Sequence, residues 1–194
     1  TLVGCALLAA LLEMLAAAKT RAHVQVVYTR AEEAGLVGAA ALARDGALSS
    51  DDPILALETS RELPGALLGR GPVVRVGDRL GVYDPGLSAL LMKRAGELAG
   101  RRKRFRFQRC LMDGGLCEAS AFAAHGYRAA GLAVSLGNYH NMGRLSIRPE
   151  IVDLADLEGA LALLEAVVAG PWPRDGWPAA VEPSTFRPSL REGE

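Results

Sequence analysis

Residues 28–36 read YTRAEEAGL and separate two kinds of sequence. Before them runs HVQVVYT (residues 23–29), apolar and β-branched, with the composition of a strand. After them Gly35, Leu36 and the alanine-rich GAAALA (residues 38–43) open a helix. Two adjacent carboxylates, Glu32 and Glu33, stand at the junction. In an open α/β sheet the crevice beyond the carboxyl ends of the strands is where ligands sit. A pair of glutamates there, one facing a metal and one facing a water, makes a hydrolytic site possible. The same pair has a plainer use, since acidic residues in a helix's first turn complement its dipole.

The chain's 194 residues fit one domain with a sizeable core. Half of them are hydrophobic and 23% charged, which excludes a disordered composition. Lys plus Arg equals Asp plus Glu at 22 each, so no global charge recruits nucleic acid or an anionic membrane. Cys5, Cys110 and Cys117 form no CxxC pair and read as reduced, mostly buried thiols of a cytoplasmic protein. Residue 1 is Thr, inside an apolar run that Glu13 interrupts and no basic region precedes. A signal peptide or membrane span does not fit that pattern. The economical reading is a chain whose N-terminal part lies upstream.

Working outward, residues 2–19 are rich in Ala, Leu and Met and predict a heavily buried helix. HVQVVYT, without alternation, predicts a central strand covered on both faces. A helix follows over residues 35–44, with Gly46 as its stop. ILAL (residues 54–57) is a second buried strand running straight into Glu58. Short strands over residues 72–76 and 80–83 flank Gly77-Asp78, a hairpin signal. Asp84-Pro85 opens a helix to about Gly100. RRKRFRFQR (residues 101–109) carries six basic residues, a pattern that a nucleic-acid patch shares. Its alternation fits a strand better, with Phe105 and Phe107 inward and Arg104 and Arg106 outward.

Asp113-Gly114-Gly115 turns into a helix over residues 116–125 that carries Glu118 near its start. YRAAGLAVSL (residues 127–136) is the next buried strand, and a polar loop holding His140 follows it. An amphipathic helix spans residues 153–169, with Leu154, Leu157, Leu161, Leu164 and Val168 at helical spacing. Residues 170–194 hold half of the ten prolines and both tryptophans, Trp172 and Trp177, and form a tail over the surface.

Three candidate ligands thus stand at comparable places: Glu33 and Glu58 after the first two strands, His140 after a later one. If those strands are parallel neighbours, all three side chains meet on one rim. Carboxylate with imidazole suits Zn, Co or Mn better than Ca or Mg. Glu58 could instead pair with Arg61 or Arg75, and His140 could be an exposed loop histidine. His23 and His125 follow no strand and read as structural or solvent-facing.

The order of AEEAGL, ILALETS, GPVVRVGDRLGVYDPGLSALL, MDGGLCEASAFAAHG, the His140 loop and VDLADLE resembles the catalytic domain of co-catalytic zinc aminopeptidases. The branch is the glutamyl and tetrahedral aminopeptidase type, often labelled endoglucanase. The resemblance implies an α/β fold, a mixed and mainly parallel β-sheet sandwiched between helices. It implies two divalent metal ions, zinc foremost with Co or Mn as alternatives, acting on the N-terminal residue of a peptide substrate. Glu32 would be the general base. Glu33 would ligate one metal, with His140 completing its shell. Glu58 would ligate the other, where the family more often has Asp.

The same resemblance shows what is missing. The family's upstream HxD histidine and bridging aspartate do not occur here, and GGLCEA stands where GGGTDA is usual. Residues 1–169 therefore read as a metallopeptidase-like domain lacking its N-terminal segment and inactive alone. The full-length protein would be a homo-oligomer, with no nucleic-acid or membrane partner. Two other readings stand beside this one: a non-catalytic homologue serving as an interaction scaffold, and a related amidohydrolase.

Overall fold

In the computed structural model, which describes residues 2–173, helices and strands run in this order: α1 (Leu2–Ala17), α2 (Val37–Arg44), β1 (Ile54–Arg61), β2 (Val73–Asp78), β3 (Gly81–Val82), α3 (Pro85–Arg101), β4 (Gln108–Met112), α4 (Glu118–Ala124), β5 (Ala129–Leu136) and α5 (Leu154–Ala169). Residues 174–194, with Trp177 and most of the expected tail, lie outside the described residues. β5 pairs β1 in parallel, with Glu58 opposite Ala133 and Arg61 opposite Leu136, and pairs β2 antiparallel. β2 also pairs β4 in parallel and β3 antiparallel. The sheet is mixed and its two longest pairings are parallel, as the expected fold class requires.

Small residues let β5 be the centre. All eight of its positions are buried, and Gly131 is where Arg75 crosses it. A Cβ at Gly131 would meet Arg75 Cβ at 3.1 Å and Tyr83 Cε2 at 3.4 Å. Helices α1, α3 and α5 pack as one group against the sheet, and α2 with α4 as a second. Leu87, Leu91, Leu132, Leu163, Val74 and Val134 are the deepest apolar side chains of the main core. Two helix starts follow from their caps. Asp84 Oδ1 accepts from the Leu87 amide (2.6 Å) ahead of Pro85, and Asp153 Oδ1 accepts from the Ala155 amide (2.8 Å).

Several expectations are corrected. Residues 23–29 form no strand; among the described residues they run unpaired and half-buried past β1, with a cleft of about 560 Å³ between. β-branched composition favours extended backbone, but a strand exists only through a hydrogen-bonded neighbour. α1 is not heavily buried: only Gly4, Leu7 and Leu11 are covered, and Leu2 and Leu12 are exposed. It touches α5 and β1 along one stripe, so the rest of its apolar circumference stays open. Cys5 is consequently exposed and Cys110 half-buried, leaving Cys117 as the buried thiol. The hairpin turns at Arg79-Leu80, because Gly77 and Asp78 still pair with Val82 and Gly81. β4 starts at Gln108, although Phe105 and Phe107 do turn inward, their ring centroids 6.2 Å apart, and Arg104 and Arg106 outward.

Of the spaced apolar positions of α5, Leu164 is buried and Leu157, Leu161 and Val168 pack partly buried against the core, as their spacing suggests. Leu154 is exposed, while Asp156 is 1% exposed beside Ala160, Leu163, Leu164 and Val167. The Asp156 carboxylate accepts from the Gly69 amide (2.8 Å) and the Gly71 amide (2.6 Å), tying α5 to the loop that leads into β2. That loop passes so close to residue 106 that a Cβ on Gly71, at φ +92°, would fall 2.1 Å from the Arg106 carbonyl oxygen. Asp156→Ala leaves the buried Gly71 amide and the partly buried Gly69 amide without this acceptor and is expected to cost about 2 kcal/mol in urea denaturation. An unchanged midpoint would contradict this account of the loop.

Candidate active site

Parallel pairing of β1 and β5 sets their carboxyl ends at one edge of the sheet. Glu58 does not lie beyond that edge, as the sequence suggests. It is the fifth residue of β1, partly buried and opposite Ala133, because the strand continues through Thr59, Ser60 and Arg61. His140 does lie past the end of β5, in a short 3-10 turn over Tyr139–Asn141. Asn138, His140 and Asn141 all take left-handed backbone there, a conformation that asparagine tolerates better than most residues. The His140 amide donates to Glu150 Oε1 (2.9 Å), and its exposed ring stacks on Tyr139 at 4.0 Å between centroids.

Glu32 and Glu33 sit in a tight loop entering α2. The carbonyl of Glu32 accepts from the Gly35 and Leu36 amides (3.0 and 2.8 Å), that of Ala31 from Val37 (3.2 Å), and that of Arg30 from Gly38 (3.0 Å). Gly38 is required for the last contact, since a Cβ there would lie 2.5 Å from the Arg30 carbonyl oxygen. Glu32 is half-buried and Glu33 exposed.

The electrostatics join these residues. Burial pushes the Glu32 carboxyl above the usual range, the charges of Glu33 and Glu118 add to the rise, and His140 opposes it. Burial likewise raises Glu58, to about 7, and Glu32 and Glu118 reinforce it while Arg75 pulls the other way. Tyr139 is raised by burial and then by Glu33, Glu32 and Glu58. The four residues singled out from the sequence therefore share one neighbourhood, with Glu118, Tyr139 and Arg75 added to it. Mutual repulsion of the carboxylates contributes, but desolvation is the larger cause.

Arg75 is 5% exposed; its Nη1 lies 3.4 Å from Ser60 Oγ, and its Nε has no hydrogen-bond partner among the described residues. It acts on Glu58 through the field rather than as an ion pair. Glu118 was legible only as an acid at a helix start and Arg75 only as a possible ion-pair partner of Glu58, and nothing local in the sequence ties Tyr139 to the glutamates. The 560 Å³ cleft adjoins this neighbourhood through Thr29 and Glu118 but is otherwise mostly apolar, and Glu32, Glu33, Glu58 and His140 do not line it.

The donor chemistry, several carboxylates with one imidazole, fits a borderline divalent cation such as Zn, Co or Mn. The number of donors falls short: among the described residues no three His, Cys, Asp or Glu side chains stand close enough together to hold an ion.

The family model described as M42 glutamyl aminopeptidase matches residues 2–163. Among solved structures, the chain is 27% identical to the TET1 peptidase of Pyrococcus horikoshii, described as able to assemble into a tetrahedron or a large octahedral shell. That alignment has a TM-score of 0.53 and covers 73% of this chain and 39% of that one. A TET1 dodecamer, PhTET1-12s, gives 27% identity and a TM-score of 0.56 over 72% of this chain and 39% of that one. An aminopeptidase from the archaeon Desulfurococcus kamchatkensis, 24% identical, shares the fold with a TM-score of 0.63 over 86% of this chain and 46% of that one. The chain thus spans less than half the length of these structures. No curated protein matches it.

A pH dependence follows from Glu58. Its folded carboxyl titrates near 7 against an ordinary 4.5, so the folded state keeps a proton that the unfolded chain releases. The stability this group contributes is present below the ordinary value and is lost as pH rises toward the folded one. With divalent ions chelated, urea denaturation at about pH 5 and about pH 8 should show a loss of stability that Glu58→Gln reduces. An equal loss in both proteins would contradict the burial of this carboxylate.

Proposed function

The chain belongs to the M42 glutamyl aminopeptidase family, and on that footing we propose that it is part of a metal-dependent aminopeptidase that removes N-terminal residues from peptides. The observation that carries the reading is that Glu33, Glu58, Glu118 and His140 all lie within electrostatic reach of Glu32, with β1 and β5 running parallel toward the loop of His140. Two of these acids, Glu32 and Glu58, are raised by burial and by neighbouring carboxylates, a pattern that suits a site receiving a cation.

Glu33 and His140 would hold one divalent ion and Glu58 a second. When bound, such ions polarise the scissile carbonyl and acidify a water. Glu32 is the general base. Its carboxylate takes the proton of the attacking water as the oxygen adds to the carbonyl carbon, then hands that proton to the amine nitrogen as the C–N bond breaks. A glutamate raised above its ordinary range is suited to hold a proton between those two events. The remaining ligands would come from residues preceding these 194, and the full-length protein would be a homo-oligomer, a reading supported by the TET assemblies. Free cysteines, one of them exposed, suit the cytoplasm.

A non-catalytic scaffold is the second reading, favoured by the lack of a three-donor group among the described residues. The two separate cleanly. The 194-residue chain alone should bind zinc weakly and hydrolyse no aminoacyl-anilide, because three ligands cannot fill two shells. Calorimetry showing two tightly bound zinc ions on it would contradict this.

In the full-length protein, Glu32→Gln is expected to lower kcat by about 10²–10⁴-fold with metal content intact. Glu33→Gln and His140→Ala should lose metal as well, measured by atomic emission. Near-normal turnover in Glu32→Gln would remove the base assignment, and a metal-free, inactive wild type would favour the scaffold.

A further inference from the structure

Asp78 ends β2 with its carboxylate 3% exposed and fully engaged. Its Oδ2 accepts from the Cys117 amide (3.0 Å), the Ser120 hydroxyl (2.5 Å) and the Tyr83 hydroxyl (3.0 Å), and its Oδ1 accepts from the Leu80 amide (2.9 Å). Tyr83 Oη also lies 2.8 Å from Cys117 Sγ, and Tyr83, Cys117 and Ser120 are all buried. Burial alone would push the Asp78 carboxyl up, yet these donors together hold it below the ordinary aspartate range.

Two of the donors belong to the start of α4. Cys117 stands at its N-cap without a side-chain cap, and the carboxylate on β2 anchors this helix start by accepting from the Cys117 amide and the Ser120 hydroxyl. The first residue of α4 is Glu118, which accepts a hydrogen bond from the Thr29 hydroxyl. Thr29 closes the unpaired segment 23–29 and leads directly into the loop of Glu32 and Glu33. Since no strand pairing fixes that segment, a single side-chain bond weighs more there than it would inside a sheet.

Glu118 is poorly explained as a stabilising residue. Its charge raises the carboxyls of both Glu32 and Glu58, so it stands against two acids. Complementing the dipole of a seven-residue helix returns only about 0.3–1 kcal/mol.

We propose that Asp78 and Glu118 are positioning residues: Asp78 fixes the start of α4 so that Glu118 holds Thr29, and Thr29 sets where the loop of Glu32 and Glu33 stands. The kinetic consequence rests on the aminopeptidase reading; the structural consequence does not.

The test uses the full-length protein with Thr29→Val, Thr29→Ser, Glu118→Ala and Asp78→Asn. Two readouts are taken: hydrogen exchange at the Leu36, Val37 and Gly38 amides, and kcat and KM for an aminoacyl-anilide at measured metal content. Thr29→Val and Glu118→Ala should each speed exchange at those amides about tenfold or more. They should lower kcat by about tenfold with KM and metal content little changed. Thr29→Ser, which keeps the hydroxyl, should restore both, and the Thr29→Val/Glu118→Ala double variant should be no worse than either single one. Asp78→Asn should follow the same pattern if it folds, and the Thr29 and Glu118 variants decide the matter if it does not. Unchanged exchange in Thr29→Val, or Thr29→Ser behaving like Thr29→Val, would overturn the proposal. If exchange responds as expected but the wild type cleaves no aminoacyl bond, the brace stands and the aminopeptidase reading fails.

Discussion

Everything at the candidate site depends on the parallel pairing of β1 with β5. An antiparallel pairing would send the two carboxyl ends to opposite edges and separate Glu58 from the loop of His140. With the register Glu58 opposite Ala133 and Arg61 opposite Leu136, both strands deliver their side chains to one rim. β5 can take that central place because Ala129, Ala130, Gly131 and Ala133 leave room for Arg75 and Tyr83 to cross it. The small residues of one strand thus decide which polar groups share a neighbourhood with the glutamates.

The polar groups beneath the site work against the ordinary rule that charges stay outside. Arg75, Asp78 and Asp156 are each at most 5% exposed. The two aspartates are satisfied by several donors apiece, and each ties a helix to a loop or strand distant in sequence. Arg75 is different, with an Nε that finds no acceptor among the described residues and a field that lowers Glu58 without pairing to it. Removing a partner from any of these groups would leave a buried polar atom unmatched, which is the costly case.

Much of the fold was legible where a local rule and the tertiary environment agree. Asp84-Pro85 and Asp153 announce helix starts that the caps realise, and the apolar AAGLAVSL run becomes the buried β5. Legibility stopped where a partner decides the outcome. HVQVVYT has strand composition but no strand beside it among the described residues, and α5 buries Asp156 in line with its core leucines while Leu154 stays exposed. At the site, Glu32, Glu33, Glu58 and His140 stood out because each follows or ends an apolar run. Arg75 stood out only as a possible ion-pair partner of Glu58, whereas the bearing of Glu118 and Tyr139 on the glutamates comes through packing across 60 or more positions of chain, as in the 89-residue span between Thr29 and Glu118.

The central claim is that these residues hold divalent ions for peptide hydrolysis. Its most direct test is a crystal structure of the full-length protein grown with zinc, with data collected on both sides of the zinc absorption edge. The account predicts anomalous density within about 2.0–2.2 Å of Glu33 and His140 donor atoms, and a second peak about 3.5–4 Å away at Glu58. Glu32 should stand beside the pair without ligating either ion. Zinc bound elsewhere on the protein, with this neighbourhood empty, would contradict it.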